Sequence, residues 1–320
     1  MSKTNKRPAS HLKVVLSLFK DYLAQSISRE FLSEINQSSR TTLWRKFAPL
    51  MAVRPAPLYR ATKAKIIAVD GFYLSYPSIK RNRHKDGFKK DKCVLLWAID
   101  CETHKPIYWQ FYDDIENMGI WKKFIKEMKS HKFRPDYLVS DGHPGITNAC
   151  SRYWPNTKQQ RCLAHFMGNM NKDLSISPKT EIAKELKRLV ASLFSVDDAT
   201  KRLLWERRWQ DYLKRYEVAI TSMSSKTDTY ENSRRIPREY LSAFSVINNS
   251  YIRDEIFTYL DNSSVPRTSN LIESVNGVLR ELTRRHRGLN LEKRKNLIAW
   301  SLAHRQGQTD KQLTKQILKK

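Results

Sequence analysis

Two short apolar runs, Ile66-Ile67-Ala68-Val69 and Tyr137-Leu138-Val139-Ser140, each stop at an aspartate followed by glycine, Asp70-Gly71 and Asp141-Gly142. Apolar runs of that length, bounded by turn residues, read as buried strands. A carboxylate at the end of such a strand is costly unless it is paired, protonated or metal-bound. The glycine after it lets the backbone turn and a ligand come close. One such aspartate opens an ordinary turn. Two of them, in what reads as one sheet, favour a fold that fixes acids at strand ends.

The rest of the chain fills in around them. Val94–Ile99 and Ile107–Tyr112 read as a second and a third strand after the first. Ile120, Phe124, Ile125 and Met128 have helical spacing, Ile146–Tyr153 reads as a helix, and Gln160–Phe166 as a further short strand. Three strands, a helix, a strand, a helix and a strand describe a mixed sheet with helices packed on it. From 179 to 262 the pattern is helical, with a stripe of Leu186, Leu189, Val190 and Leu193, and strands do not resume. That region reads as a helical insertion or second domain. Arg267–Arg287 gives another helix, with Leu271, Val275, Val278 and Leu282 on one face and Ile272 and Leu279 beside them. Asn270, Glu273, Gly277 and Arg280 fall opposite. The remainder reads as a basic helical tail.

The charge points to a polyanion. Lys and Arg number 59 against 32 Asp and Glu, a net +27, and a folded chain with that self-repulsion gains from phosphates, whose counterions are released on binding. Both ends are basic: residues 1–60 carry 11 Lys/Arg and 3 acids, residues 267–320 carry 13 and 4. An anionic membrane surface is the competing partner. There is no apolar run of 18 residues and no secretory signal, so a soluble, cytoplasmic protein is expected. Four cysteines do not suggest a disulfide scaffold. Near the N-terminus, Leu12, Val15, Phe19 and Tyr22 mark one helix, Phe31, Leu32 and Ile35 a shorter one, and Ser39 can cap a third buried through Leu43 and Phe47. Its outer face, Arg40, Thr41, Thr42, Arg45 and Lys46, suits a helix-turn-helix reading helix, although a plain helical cap has the same pattern. Lys80–Lys92, with seven Lys/Arg, reads either as a DNA-tracking loop or as a solvated one.

Metal-dependent phosphoryl transfer needs oxygen ligands from separate parts of a fold, and Mg²⁺ favours carboxylates, phosphate oxygens and water. Asp70 and Asp141 supply two acids at rigid positions. Glu273, on the polar face of its helix, is a third candidate, with Glu281 and Glu292 as rivals that periodicity leaves open. Trp205 and Trp209, four apart, fit a core stripe better than a platform for a flipped base.

Val139-Ser140-Asp141-Gly142-His143, then Gln160-Arg161-Cys162-Leu163-Ala164-His165-Phe166 and Asn169, resemble the Mutator-type DDE transposases of bacterial insertion sequences. Thr268-Ser269-Asn270-Leu271-Ile272-Glu273-Ser274-Val275-Asn276 with Arg280 is similar to the family segment that contributes the catalytic Glu. The resemblance covers roughly residues 65–305. It implies an RNase H-like α/β core interrupted by an all-α insertion, with Asp70, Asp141 and Glu273 catalytic and holding two Mg²⁺ ions, for which Mn²⁺ can substitute. Arg161, Cys162 and His165 would support the site, and this reading displaces a zinc site that adds Cys150 and His143, since the spacing lacks a second ligand pair.

The expected organisation is a helix-turn-helix-like module (1–56), the first part of the core (57–175), an all-α insertion (176–265), the second part of the core with Glu273 (266–303) and a basic tail (304–320). The expected function is metal-dependent cleavage at insertion-sequence ends and strand transfer to target DNA. Arg40, Thr41, Thr42, Arg45, Lys46, Asn270 and Arg280 would contact DNA, and synapsis of two ends implies at least a homodimer on DNA. Two alternatives stand beside it: a non-catalytic DNA-binding regulator derived from a transposase, and a nuclease that does not join.

Overall fold

The computed structural model describes residues 7–24, 32–34, 36–59, 64–76, 91–174, 177–224 and 238–318. The chain is mixed α/β and divides into two compact units, Met1–Arg134 with Asn270–Lys320, and Pro135–Ser269.

The first unit is built on three antiparallel strands, β1 (Ile66–Tyr76), β2 (Asp91–Asp100) and β3 (Pro106–Tyr112). Ile67, Val94, Leu95, Leu96, Trp97, Ala98 and Ile99 have no exposure, the near-continuous burial of a sheet covered on both faces. Asp70 pairs with Trp97, and Trp97 with Trp109, so these three share one face. Helix α3 (Met118–Ser130; α1 and α2 are described below) covers the opposite face, where Phe124 packs 5.1 Å from the Tyr108 ring.

β1 corrects one expectation. It does not end at Asp70 but runs on to Tyr76, paired with β2 throughout. Asp70 is therefore a mid-strand residue, and Gly71 continues the strand instead of turning it. The reason is pairing: ten consecutive β1 residues find partners in β2, and backbone groups so satisfied have no cause to leave the ladder.

The N-terminal helices are α1 (Arg7–Ala24) and α2 (Arg40–Met51). Ser39 caps α2 as expected, its side chain accepting from the Thr42 N–H. Phe19 meets Phe47 at 5.0 Å and Trp300 at 5.5 Å. The expected helix around Phe31 and Ile35 and the Lys80–Lys92 loop fall largely outside the described residues.

The C-terminal part of the unit holds three helices, numbered after those of the second unit: α10 (Asn270–Arg285), α11 (Leu291–Arg305) and α12 (Asp310–Ile317). On α10 the buried stripe is Ile272, Val275, Asn276, Leu279 and Leu282, a slight rotation from the expected Leu271–Val275–Val278–Leu282 face that puts an asparagine inside. α11, basic in composition, is largely buried. Leu297, Ile298, Ala299, Trp300, Leu302 and Ala303 are all buried, and the Trp300 indole N–H is shared by the carbonyls of Leu50 (2.8 Å) and Val53 (3.0 Å). One of its basic residues is used internally: the buried Lys295 ammonium pairs with Asp113 and with Glu292.

The second unit contains β4 (Tyr137–Ser140) and β5 (Lys158–Arg161), a parallel pair joined through α4 (Pro144–Tyr153). β5 is shorter than the expected Gln160–Phe166 strand, because Cys162 caps helix α5 (Leu163–Asp173), which buries Leu163, Phe166 and Met170. Helices α6 (Glu181–Ser192), α7 (Ala199–Arg215), α8 (Glu217–Ser224) and α9 (Arg238–Ile252) follow. Among the described residues from 177 to 269 there is no strand. Trp205 and Trp209 are 2% and 0% exposed, stacked 6.0 Å apart, with Tyr212 next in the column at 5.5 Å. They are core, not a base-stacking platform.

Candidate active site

In the first unit, Asp70 is held from two sides. Its own strand supplies the Gly71 N–H, which donates to Oδ1 at 2.8 Å. Helix α10 supplies Asn276, whose side-chain amide N–H donates to Oδ2 at 2.6 Å. The other end of that amide accepts the Trp97 indole N–H at 3.2 Å. Since an indole nitrogen only donates and a carboxylate only accepts, the orientation of the amide is determined. Asn276 is 1% exposed and was not among the residues singled out as functional, although a buried asparagine on an apolar stripe is the available signal. Glu273 lies three residues earlier on α10, hence on the same helical face as Asn276, with Cβ atoms roughly 5–6 Å apart. Its Oε2 accepts from Arg280 at 3.3 Å. The structure thus brings the strand that bears Asp70 and the helix that bears Glu273 together through one asparagine.

The rival acids are otherwise engaged. Glu281 is bonded by Arg284 and Arg285, which hold its carboxyl down at about 2, and Glu292 by Lys295 and Arg54. Behind the Asp70 face, a Cβ on Gly71 would come within 2.9 Å of Glu116 Oε2. Glu116 accepts from the Trp121 indole N–H at 2.7 Å and the Tyr73 hydroxyl at 3.2 Å. A side chain at position 71 would have to displace this carboxylate.

In the second unit Asp141 follows the last residue of β4, as expected. Gly142 has φ +80°, which turns the chain sharply. The His143 N–H donates to Asp141 Oδ1 at 2.9 Å, and His143 Nδ1 in turn accepts from the Gly145 N–H at 3.0 Å to cap α4. Cys162 is fully buried, and its sulfur accepts from both the backbone N–H (3.1 Å) and the hydroxyl (3.2 Å) of Ser269. The Ser269 hydroxyl also meets His165 Nδ1 at 3.2 Å. Burial raises the thiol pKa, but the hydrogen bonds from His165 and Ser269 outweigh it and bring it down to about 7. Cys150 has no such donors and is pushed up by burial to about 12.

The Cys162 thiol yields a signed prediction. A group whose folded pKa is depressed stabilises the fold above its unfolded pKa and loses that contribution as pH falls. Wild type should therefore gain on the order of 1–2 kcal/mol over Cys162→Ala as pH rises from about 7 to 9. Urea unfolding of both proteins across that range measures it, and parallel curves would contradict the thiolate assignment.

Hard oxygen donors are what Mg²⁺ takes, and it commonly uses only one or two carboxylates with water and phosphate completing its shell. The half-exposed carboxylates of Asp70 and Glu273 fit that chemistry. Within either unit, among the described residues, no group of three or more His, Cys, Asp or Glu side chains gathers as a metal site. On α2, Arg40, Thr41, Thr42 and Arg45 are exposed and Lys46 half-exposed; on α10, Asn270 and Arg280 are exposed. No helix among the described residues is long and apolar enough to cross a membrane.

Comparison with known proteins gives the family. The profile described as "Transposase, Mutator family" matches residues 65–289. The transposase for insertion sequence element IS1201 of Lactobacillus helveticus is 24% identical over 106 residues, 33% of this chain and 29% of that protein. A probable transposase for an insertion sequence element of Corynebacterium diphtheriae is 22% identical over 222 residues, covering 68% and 57%. The chain spans less than two thirds of the length of these curated relatives. Among solved structures, a Drosophila P element transposase strand transfer complex aligns over 100% of this chain and 81% of that one, at 12% identity and a TM-score of 0.35, a likeness too slight to bear on the fold. The match over residues 65–289 takes in both candidate aspartates, the Cys162–His165 segment and Glu273, and the chain belongs to the Mutator family of transposases.

Proposed function

We propose that this protein is a DDE transposase: it cuts DNA at the ends of an insertion sequence and joins the freed ends to target DNA, in the cytoplasm, on an RNase H-like core interrupted by the all-α insertion. The observation that carries the reading is the Asn276 bridge, which sets the helix of Glu273 against Asp70, 206 residues from Asn276 in sequence. Asp70, Asp141 and Glu273 are proposed as the residues that would hold two Mg²⁺ ions (or Mn²⁺). When bound, such ions supply an activated nucleophile and stabilise the attacking and leaving oxygens of an in-line displacement.

The chain's own residues do the rest. Asn276 and the Gly71 N–H fix the direction of the Asp70 carboxylate, and the His143 N–H does the same for Asp141. Arg280, exposed and two turns from Glu273, donates to its carboxylate and is proposed to meet a phosphate. The Arg40–Lys46 face of α2 is proposed to hold the element end as a helix-turn-helix module, and two ends require at least a homodimer on DNA.

The test is a plasmid carrying the element ends, together with a pre-cut duplex ending in a 3′-hydroxyl. Nicking of the first and integration of the second, both abolished by EDTA and restored by Mg²⁺ or Mn²⁺, are expected. Nicking without integration would leave a nuclease, and binding without either would leave a regulator. Arg40→Ala with Arg45→Ala should weaken end binding and lower the salt slope by up to about 2; an unchanged slope would remove α2 from the DNA interface.

A further inference from the structure

The turn that carries Asp141 is built on a buried guanidinium. Arg161 is the last residue of β5 and pairs with Ser140, the residue before Asp141. It is only 9% exposed. Its Nη1 donates to the Ser250 hydroxyl at 2.9 Å, and that hydroxyl donates to the Val246 carbonyl at 2.9 Å, both on α9. Its backbone N–H donates to the Glu255 carbonyl at 2.7 Å, and its guanidinium carbon lies 5.1 Å from the Phe166 ring centre. Burying a charge this completely is costly without partners, yet Nε has no hydrogen-bond acceptor. What that edge of the guanidinium meets is Gly142. A Cβ there would lie 2.7 Å from both Cζ and Nε, and 2.9 Å from Nη1. The left-handed backbone of Gly142 and its missing side chain are therefore both requirements of the same contact.

We infer that Arg161 is a positioning residue, a buried strut running from helix α9 to the Asp141-Gly142 turn, which sets the direction of the Asp141 carboxylate and makes Gly142 obligatory. The inference rests on the reading of Asp141 as a metal ligand. It also gives the helical region between residues 177 and 269 a task beyond bulk: through Ser250 and the Glu255 carbonyl, α9 and the segment after it hold the strut. Burial pulls the Arg161 guanidinium below its ordinary range; the charges of Glu255 and Asp141 oppose that, while Arg253 adds to it. Lysine could keep the charge, but its single ammonium cannot lie flat on Gly142 and reach Ser250 together.

The experiment uses the full chain bound to element-end DNA, with Arg161→Lys, Ser250→Ala, Gly142→Ala, Arg161→Ala, the Gly142→Ala/Arg161→Ala double variant and Asp141→Asn. Three quantities are read: affinity for the DNA, Mn²⁺ dissociation constant by electron paramagnetic resonance, and single-turnover cleavage rate against Mn²⁺ concentration. Arg161→Lys should bind DNA within about twofold of wild type, with cleavage down roughly 10–100-fold and Mn²⁺ bound about tenfold more weakly, the size expected of a ligand's hydrogen-bonded support. Ser250→Ala, the mildest change, should show the same pattern at a few-fold. The Gly142→Ala penalty in melting temperature should be smaller in the Arg161→Ala background, since the side chain it collides with is gone. Wild-type Mn²⁺ affinity in Arg161→Lys, or strictly additive melting shifts for Gly142 and Arg161, would overturn the inference. If wild type neither binds Mn²⁺ nor cuts, the proposed function fails instead, and the melting-shift cycle still decides the strut.

Discussion

Replacing Asp70 by Asn, Asp141 by Asn or Glu273 by Gln lowers single-turnover cleavage of element-end DNA by at least about 10³-fold, a loss of roughly 4 kcal/mol or more of transition-state stabilisation, while DNA affinity stays nearly unchanged. Each change preserves shape and removes one negative charge. The three are not equivalent in the fold. Both Asp70 oxygens already accept, from Gly71 and from Asn276. An asparagine there offers one acceptor and one donor, so Asp70→Asn also loses a hydrogen bond, costing about 1–3 kcal/mol of stability if nothing replaces it. Glu273→Gln can keep its contact with Arg280 and should melt close to wild type. Cleavage by gel assay and melting by calorimetry separate the two effects. A wild-type rate in any one variant removes that residue from the site.

Asn276→Leu is the second large effect. Leucine keeps the branch at Cγ and the number of side-chain heavy atoms, though it is bulkier, and it removes the acceptor of the Trp97 indole N–H and the donor to Asp70. The indole nitrogen, in a fully buried Trp97, is left without its partner, and a buried unsatisfied donor costs about 1–3 kcal/mol. Asp70, half-exposed, can recover a water for the lost amide, so its penalty falls on direction rather than on stability. Cleavage should drop roughly 10–100-fold, the range for losing a ligand's hydrogen-bonded support, with DNA binding retained. Urea unfolding and single-turnover cleavage measure the two consequences. A destabilised protein that cuts at the wild-type rate would reduce Asn276 to a packing residue.

Much of this arrangement was legible in the residues. The apolar run before Asp141, the Gly142 turn after it, the Ser39 cap and the helices carrying Ile120–Met128 and Glu273 all formed where spacing placed them. These are local matters: burial periodicity, a capping side chain, a glycine with positive φ. The failures were of another kind. Asp70 looked like the end of a strand because an acid and a glycine follow four apolar residues. The strand continues because β2 offers partners as far as Asp91, and pairing across a sheet leaves no trace in the spacing of one strand. Leu291–Arg305 read only as basic helix because Lys293, Arg294, Lys295 and Arg305 dominate its composition, and its apolar residues were not read as a buried face. It is a core helix because Asp113 and Glu292 neutralise Lys295 and the backbone around Leu50–Val53 receives Trp300.

The sequence by itself determined the family, through residue types at fixed short spacings, and it determined which acids were candidates, because a carboxylate after an apolar run is conspicuous at any distance from its partners. Only the tertiary structure decided that Asn276 joins the Asp70 strand to the Glu273 helix, and that Arg161 fills the space a side chain at Gly142 would need. Both facts depend on contacts between segments 19 to 206 residues apart. Such contacts are set by the packing of whole elements, which no local pattern encodes.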